Sequence, residues 1–301
     1  MKILFVVNNL SVTEPMGIMQ LSSILKKNNH QTYLAVISKN NVIKSIEGIK
    51  PDIIAYSAMS VDICNILKLN ETIKSRFDIF TIIGGPHPTF VSSIINEKNI
   101  DAVCVGEGET AIVELLSKLQ NNHLTGQINN IITKESQELK LNPLISNLDE
   151  LPFIDRKILY DYNEFANMPI KGISTSRGCP FTCTYCFNKK FADLYKNNGQ
   201  YIRRHSVEYV IEETLKLKSE YRLDFVRIAD DCFFLKTDEW LEEFAKKWKS
   251  KIGLKYYCLL RPEIINAENS RLLKYSGCHS VHLAVEAGND IVRSEIMDRK
   301  L

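Results

Sequence analysis

Gly172-Ile173-Ser174-Thr175-Ser176-Arg177-Gly178-Cys179-Pro180-Phe181-Thr182-Cys183-Thr184-Tyr185-Cys186 decides how the rest of the chain is read. A β-branched, strand-like run leads into a loop where three cysteines stand in C-x3-C-x2-C spacing. Three close thiolates are a soft ligand set, suited to an iron–sulfur cluster or to zinc. The count matters. A closed structural zinc site takes four ligands, commonly as two paired halves, and no second C-x2-C follows here. A [4Fe–4S] cluster on three cysteines keeps one iron open for substrate chemistry. A zinc or redox sensor would instead need a remote fourth ligand, for which His205 and Cys232 are the candidates.

The chain has 301 residues, 45% hydrophobic and 25% charged, with a formal net charge of +2. Those totals fit a globular protein of about two domains. The near-balanced charge gives no electrostatic footprint for a nucleic acid. The apolar run Ile3–Val7 is too short for a secretory signal or a membrane span, so a cytoplasmic protein is expected. In a reducing compartment, clustered cysteines read as metal ligands. The scattered ones, Cys64, Cys104, Cys232, Cys258 and Cys278, read as buried small hydrophobes.

Apolar runs at 2–7, 31–37, 52–57, 78–83 and 101–105 alternate with helical periodicity at 15–27, 41–48, 61–77, 91–98 and 110–119. That rhythm predicts an α/β fold whose first domain, residues 1–125, is a doubly wound parallel sheet. Ligands in such folds lie beyond the carboxyl ends of the strands. Ser57, Gly84, Gly85 and Gly106 fall there, and glycine allows positive φ and close backbone approach. His87, in the same loops, reads as loop packing. Residues 126–165 form a polar linker with an expected short hairpin at 128–133 and 138–141.

Residues 166–301 repeat the alternation. Strands are expected at 172–176, 224–229, 255–260 and 280–285, and helices at 207–219, 237–249, 266–275 and 290–297. About four βα units match the start of a barrel whose chemistry sits at the strands' carboxyl ends. Asp230, Asp231, Arg261 and Glu286 fall at those ends. Arg203 and Arg204 read as a solvated basic edge, and Tyr256 and Tyr257 as strand packing.

The cysteine loop, with an aromatic residue, Tyr185, ahead of its third cysteine, resembles the signature of the radical SAM superfamily. The resemblance implies that Cys179, Cys183 and Cys186 hold three irons of a [4Fe–4S] cluster, and that S-adenosylmethionine chelates the fourth. It implies reductive cleavage of that molecule to a 5′-deoxyadenosyl radical, acting on a small-molecule or peptide substrate. An electron donor such as flavodoxin or ferredoxin would be a partner. Glu286 resembles the family's strand-end acid near the ribose or the methionine amine, and reads equally as one half of a structural ion pair; Tyr185 would pack near the adenine or shield the cluster, and Asp230 and Asp231 would bond the amine or the substrate or cap the next helix. Arg261 would pair with a carboxylate of the substrate or of Asp231.

The first domain resembles the cobalamin-binding domain fused to many members of that superfamily. The matching words are the Ser57 strand end, the Gly-Gly-Pro-His loop and Asp-Ala-Val-Cys-Val-Gly-Glu-Gly-Glu. The resemblance implies a cobalamin nucleotide tail against Ser57, Gly84, Gly85 and Gly106, and methyl transfer or cyclisation as the reaction. The cobalt-ligating Asp-x-His-x-x-Gly motif is absent from residues 8–17, a loss common among radical SAM members. Without cobalamin, the chain would resemble methylthiotransferases, which usually carry further cluster cysteines in the N-terminal domain; only Cys64 and Cys104 lie there. The stretch 147–156 resembles the hinge that precedes the cluster strand. The family barrel has six units against four here, so the sequence reads as a partial (β/α) radical SAM barrel, either a fragment or one completed by another chain.

Overall fold

The computed structural model describes residues 1–10, 14–121 and 126–299. Ser11, Val12 and Thr13, in the loop read for the missing cobalt motif, lie outside the described residues, as do Lys300 and Leu301. The chain divides into two units: residues 1–143 with 151–161, and residues 144–150 with 162–301.

Near-continuous apolar runs build the sheet of the first unit. Its strands are β1 (Lys2–Val7), β2 (Gln31–Val36), β3 (Ile53–Ser57), β4 (Phe80–Gly84), β5 (Ala102–Cys104) and β6 (Ile131–Thr133), in the order β2-β1-β3-β4-β5-β6. The first five are mutually parallel. Helices α1 (Met16–Lys27), α2 (Val42–Ile49), α3 (Ile63–Lys74), α4 (Pro86–Phe90) and α5 (Glu109–Gln120) connect them. The winding reverses between β1 and β3, the switch point where doubly wound sheets open a crevice. Ile3, Leu4 and Val6 of β1 are fully buried between the helix layers. Each such side chain contributes about 1.5–3 kcal/mol of burial.

The residues read as a hinge fasten onto this unit. Asp155 pairs with Lys26 at 2.6 Å, and its backbone amide donates to the Met19 carbonyl. Gln20 and Ser23 donate to the carbonyls of Pro152 and Phe153 at 2.9 and 2.6 Å. Tyr160, in the short helix α6 (Lys157–Tyr160), donates to Glu14 at 2.7 Å.

The second unit contains α7 (Asn163–Asn167), β7 (Ile170–Ile173), β8 (Ser176–Arg177), α8 (Phe187–Leu194), β9 (Arg203–Arg204), α9 (Val207–Glu220), β10 (Phe225–Ile228), α10 (Glu239–Lys247), β11 (Lys255–Leu260), α11 (Ala267–Ser276) and β12 (Cys278–Leu283). Parallel strands β7, β10, β11 and β12 neighbour one another in chain order. That one-way progression is the winding of a (β/α) barrel arc. Phe233, Phe244, Trp248 and Tyr256 are fully buried and pack edge-on under it, so Tyr256 is strand packing, as read. Ser206 and Asp238 cap α9 and α10 by accepting from the Tyr209 and Leu241 amides, the usual role of Ser and Asp there.

Several elements differ from the sequence reading. The helix expected at 91–98 is α4 followed by a 3-10 turn at Ser92–Asn96, because Pro86 suits a first helical position. Ile131–Thr133 joins the main sheet antiparallel to β5, while 138–141 forms no strand. β7 stops at Ile173 and β12 at Leu283, each two or three residues before the expected end. Helix α8 carried no expectation at all.

Candidate cofactor sites

The cysteine loop is built from its approach outward. Past β7 the chain turns at Ser174–Ser176, and the buried Asp230, two residues beyond β10, holds that turn. Its carboxylate accepts from the Thr175 amide at 2.7 Å, the Ser176 hydroxyl at 2.9 Å, and the Ser174 hydroxyl and Ser176 amide at 3.2 Å each. The Thr175 hydroxyl also donates to it. Burial raises the Asp230 pKa above its ordinary 3.8 in spite of these bonds. Next comes Gly178 at φ +91, where a Cβ would lie 2.5 Å from the Tyr201 carbonyl oxygen. Only glycine fits there without displacing backbone.

The three thiols follow within eight residues. Cys183 is buried, while Cys179 and Cys186 are half-buried. Burial pushes the Cys179 thiol up; the negative charges of Asp231, Cys186 and Cys183 add to this, and the Phe181 amide opposes it. The three sulfurs and Asp231 therefore sense one another's charge. Among the described residues, no three His, Cys, Asp or Glu side chains stand already gathered as a metal-binding group. The fit lies in the donor chemistry: three free thiols on one short loop, which is the ligand type of an iron–sulfur cluster. Arg261 adds a cation. Its Nη1 lies 3.5 Å from Cys183 Sγ, and its guanidinium stacks 3.7 Å from the Phe181 ring centroid.

A second segment clasps the loop from far along the chain. Thr182 donates to Asp298 at 2.5 Å, and Thr184 donates through its hydroxyl to the Ile296 carbonyl at 2.7 Å. Arg299 donates to the Tyr185 hydroxyl at 3.2 Å and to the Ala284 carbonyl at 2.6 Å, and lies 3.5 Å from Glu286. The Tyr185 ring itself is exposed.

Some expected roles change. Asp230 is committed to the Ser174–Ser176 turn, so the accessible strand-end carboxylate is Asp231. Arg261 pairs with Glu263 and reaches Cys183, two partners the sequence reading did not name. Glu286 sits past the strand end, at φ +69, in an ion pair with Arg299, which is the structural one of its two readings. Arg203 is buried and donates to the Ile145 carbonyl at 3.0 Å, and Arg204 lies over Trp240 and pairs with Asp238, so neither is a solvated edge. His205 is bonded to Asp149 at 2.9 Å, and Cys232 donates to the Phe234 carbonyl at 3.3 Å. Of the scattered cysteines Cys232 and Cys258 are buried, but Cys64 is exposed.

In the first unit, Ser57, Gly84, Gly85 and Gly106 converge at the carboxyl ends of β3, β4 and β5. Gly85 has φ +100, and a Cβ there would lie 3.0 Å from the Ala58 nitrogen and oxygen and 3.2 Å from Ser57 Oγ. Thr89, which the sequence reading missed, ties the glycine loops together. Its hydroxyl donates to the Gly85 carbonyl at 2.8 Å and accepts from the Gly106 amide at 3.1 Å. His87 shares a 2.9 Å hydrogen bond with Ser60, the loop role expected of it. Beside it Met59 and Val61 are exposed. Side-chain-free glycine backbone with apolar groups at its rim suits a large planar cofactor with a polar tail.

Residues 4–116 match the B12 binding domain family, and residues 173–301 match the Radical SAM superfamily. An uncharacterized methyltransferase, PH0819, of Pyrococcus horikoshii is 27% identical over 288 residues, covering 91% of this chain and 61% of its own. The cytidylyl-2-hydroxyethylphosphonate methyltransferase of Streptomyces wedmorensis is 26% identical, covering 88% and 55%. The chain thus spans little more than half the length of these relatives. The radical S-adenosylmethionine methyltransferase TsrM from Kitasatospora setae, solved with cobalamin and a [4Fe–4S] cluster, has a TM-score of 0.77 at 13% identity, covering 100% of this chain and 64% of that one. At that identity the likeness concerns the fold.

Proposed function

We propose that this chain, a member of the radical SAM superfamily with a B12-binding domain ahead of its radical SAM core, is a cobalamin-dependent radical S-adenosylmethionine enzyme, a methyltransferase or cyclase acting on a small molecule. The observation that carries the reading is the Cys179–Cys186 loop, set by Asp230 and Gly178 at the carboxyl end of a parallel strand. Cys179, Cys183 and Cys186 would hold three irons of a [4Fe–4S] cluster. When bound, such a cluster supplies one low-potential electron, down to about −700 mV, that splits the sulfonium carbon–sulfur bond into methionine and a 5′-deoxyadenosyl radical.

The chain's own residues orient and shield. Asp231 stands as the acceptor for the amine of S-adenosylmethionine, and the exposed Tyr185 ring, anchored at its hydroxyl by Arg299, offers a face for the adenine. Glu286, held beside Arg299, would accept from a ribose hydroxyl. Asp230 excludes water from the loop's entry by filling it with protein hydrogen bonds. Ser57, Gly84, Gly85 and Gly106 would receive the cobalamin tail, cobalamin supplying a transferable methyl group when bound. No helix among the described residues is long and apolar enough to cross a membrane. A cytoplasmic setting, with a flavodoxin or ferredoxin as electron donor, completes the proposal.

Anaerobic reconstitution of the full chain with iron and sulfide tests it. Expected are about four irons per chain, loss of cluster in C179S, C183S and C186S, corrinoid binding by visible titration, and formation of 5′-deoxyadenosine on reduction. Stoichiometric zinc on the same three cysteines, with no iron–sulfur absorption, would overturn it.

A further inference from the structure

Arg261 is placed by three different contacts at once. It follows β11 directly, is 8% exposed in its side chain, and pairs through Nη2 with Glu263. Its guanidinium carbon lies over the Phe181 ring, inside the cysteine loop, 3.7 Å from the centroid. Its Nη1 reaches Cys183 Sγ at 3.5 Å, and Cys183 is the most buried of the three thiols. The loop contributes two of these partners, and Glu263 supplies a counter-charge at the other terminal nitrogen.

From this geometry we infer that Arg261 sets the reduction potential of the cluster, with Glu263 as its brake. The inference rests on the cluster assignment above. A cationic N–H donor beside a thiolate ligand in a low-dielectric site stabilises whichever state carries more negative charge. One-electron uptake would make the cluster one charge more negative, so Arg261 favours the reduced state and raises the potential. Glu263 neutralises part of that cation and pulls the potential back down. A residue that only packed the loop would not give opposite signs for the two partners.

The experiment is a potentiometric titration, followed by electron paramagnetic resonance, on the reconstituted full chain and on R261M, R261K and E263Q. Iron and sulfide content are measured on each sample. R261M is expected to disfavour reduction about tenfold, a negative shift of about 59 mV for one electron. R261K, which keeps the charge, should fall between R261M and the unaltered chain, and E263Q should shift positive. The inference is overturned if R261M and E263Q move in the same direction, or if neither changes the equilibrium by as much as twofold. Should R261M fail to take up iron, R261K and E263Q decide: E263Q positive of the unaltered chain supports the inference, and E263Q at or below it refutes it. A chain that takes up no iron without any substitution overturns the cluster assignment itself, a result distinct from equal potentials on intact clusters.

Discussion

Asp230→Ala removes the acceptor from the turn that leads into the cysteine loop, and its cost can be worked from the structure. Five donors converge on that carboxylate, and two of them, the amide and hydroxyl of Thr175, belong to a residue with no solvent exposure. Each buried donor left without a partner costs about 1–3 kcal/mol, so these two alone cost about 2–6 kcal/mol. Burial disfavours the carboxylate's charge and raises its pKa, which offsets part of that cost and puts the net loss in the lower half of the range, about 3 kcal/mol. For a unit of this size that corresponds to a midpoint about 6–12 °C lower. Trp240 and Trp248, the two tryptophans of the chain, both lie in the second unit, so thermal unfolding followed by tryptophan fluorescence reports on that unit selectively. Asp230→Asn is the control. Its amide keeps one oxygen for the backbone donors, and the Thr175 and Ser176 hydroxyls can turn to accept from its nitrogen, so it should lose less than about 1 kcal/mol. A D230A midpoint within about 2 °C of the unaltered chain, or equal losses for both variants, would refute the reasoning.

Gly178→Ala would set a methyl group 2.5 Å from the Tyr201 carbonyl oxygen at φ +91; iron uptake on reconstitution should drop about fivefold or more, as about 1–3 kcal/mol of strain implies, and uptake equal to the unaltered chain would contradict this. Gly85→Ala, at φ +100 and 3.0 Å from Ala58, should weaken corrinoid binding by a similar factor in a visible-absorption titration while leaving iron content unchanged. In the metal-free chain, alkylation near neutral pH read by mass spectrometry should label exposed Cys64 first and spare Cys104 and Cys232, whose thiols burial pushes up to about 12. Burial holds His205 below its ordinary 6.5, outweighing its bond to Asp149; since the unfolded chain then binds the proton more readily, stability is full above about pH 6.5 and declines as pH falls below it. His205→Gln should flatten that decline in the tryptophan-detected midpoint, and an unchanged slope would count against the assignment.

The parallel sheets were legible because buried strands such as Ile53–Ser57 and Phe80–Gly84 are apolar throughout, and because turn chemistry marks their ends. The cysteine loop drew notice at once because three thiols in C-x3-C-x2-C spacing are a soft ligand set with little other use. What stayed hidden depends on partners distant in sequence. Nothing local distinguishes Asp230 from Asp231; only the pairing of β10 with β7 brings the first of the two against Ser174–Ser176. Arg203 resembles a surface cation until a carbonyl 58 residues away, that of Ile145, is seen to accept from it. Thr89 lies in a Pro-rich stretch that reads as loop and is in fact the short helix α4. The antiparallel β6 was misread because three residues carry too little periodicity to separate a sheet edge from a hairpin arm.

The clasp between Thr182 and Asp298 spans 116 positions. During synthesis the cysteines are exposed to the cell long before their restraining partners exist, since Arg299 is translated more than a hundred codons after Cys186. Loop closure over such a distance is slow compared with local helix formation. The interval would leave the nascent thiols open to metal-delivery proteins and to oxidants alike, so on the cluster assignment proposed above the timing of metal delivery relative to translation would bear on how the chain matures.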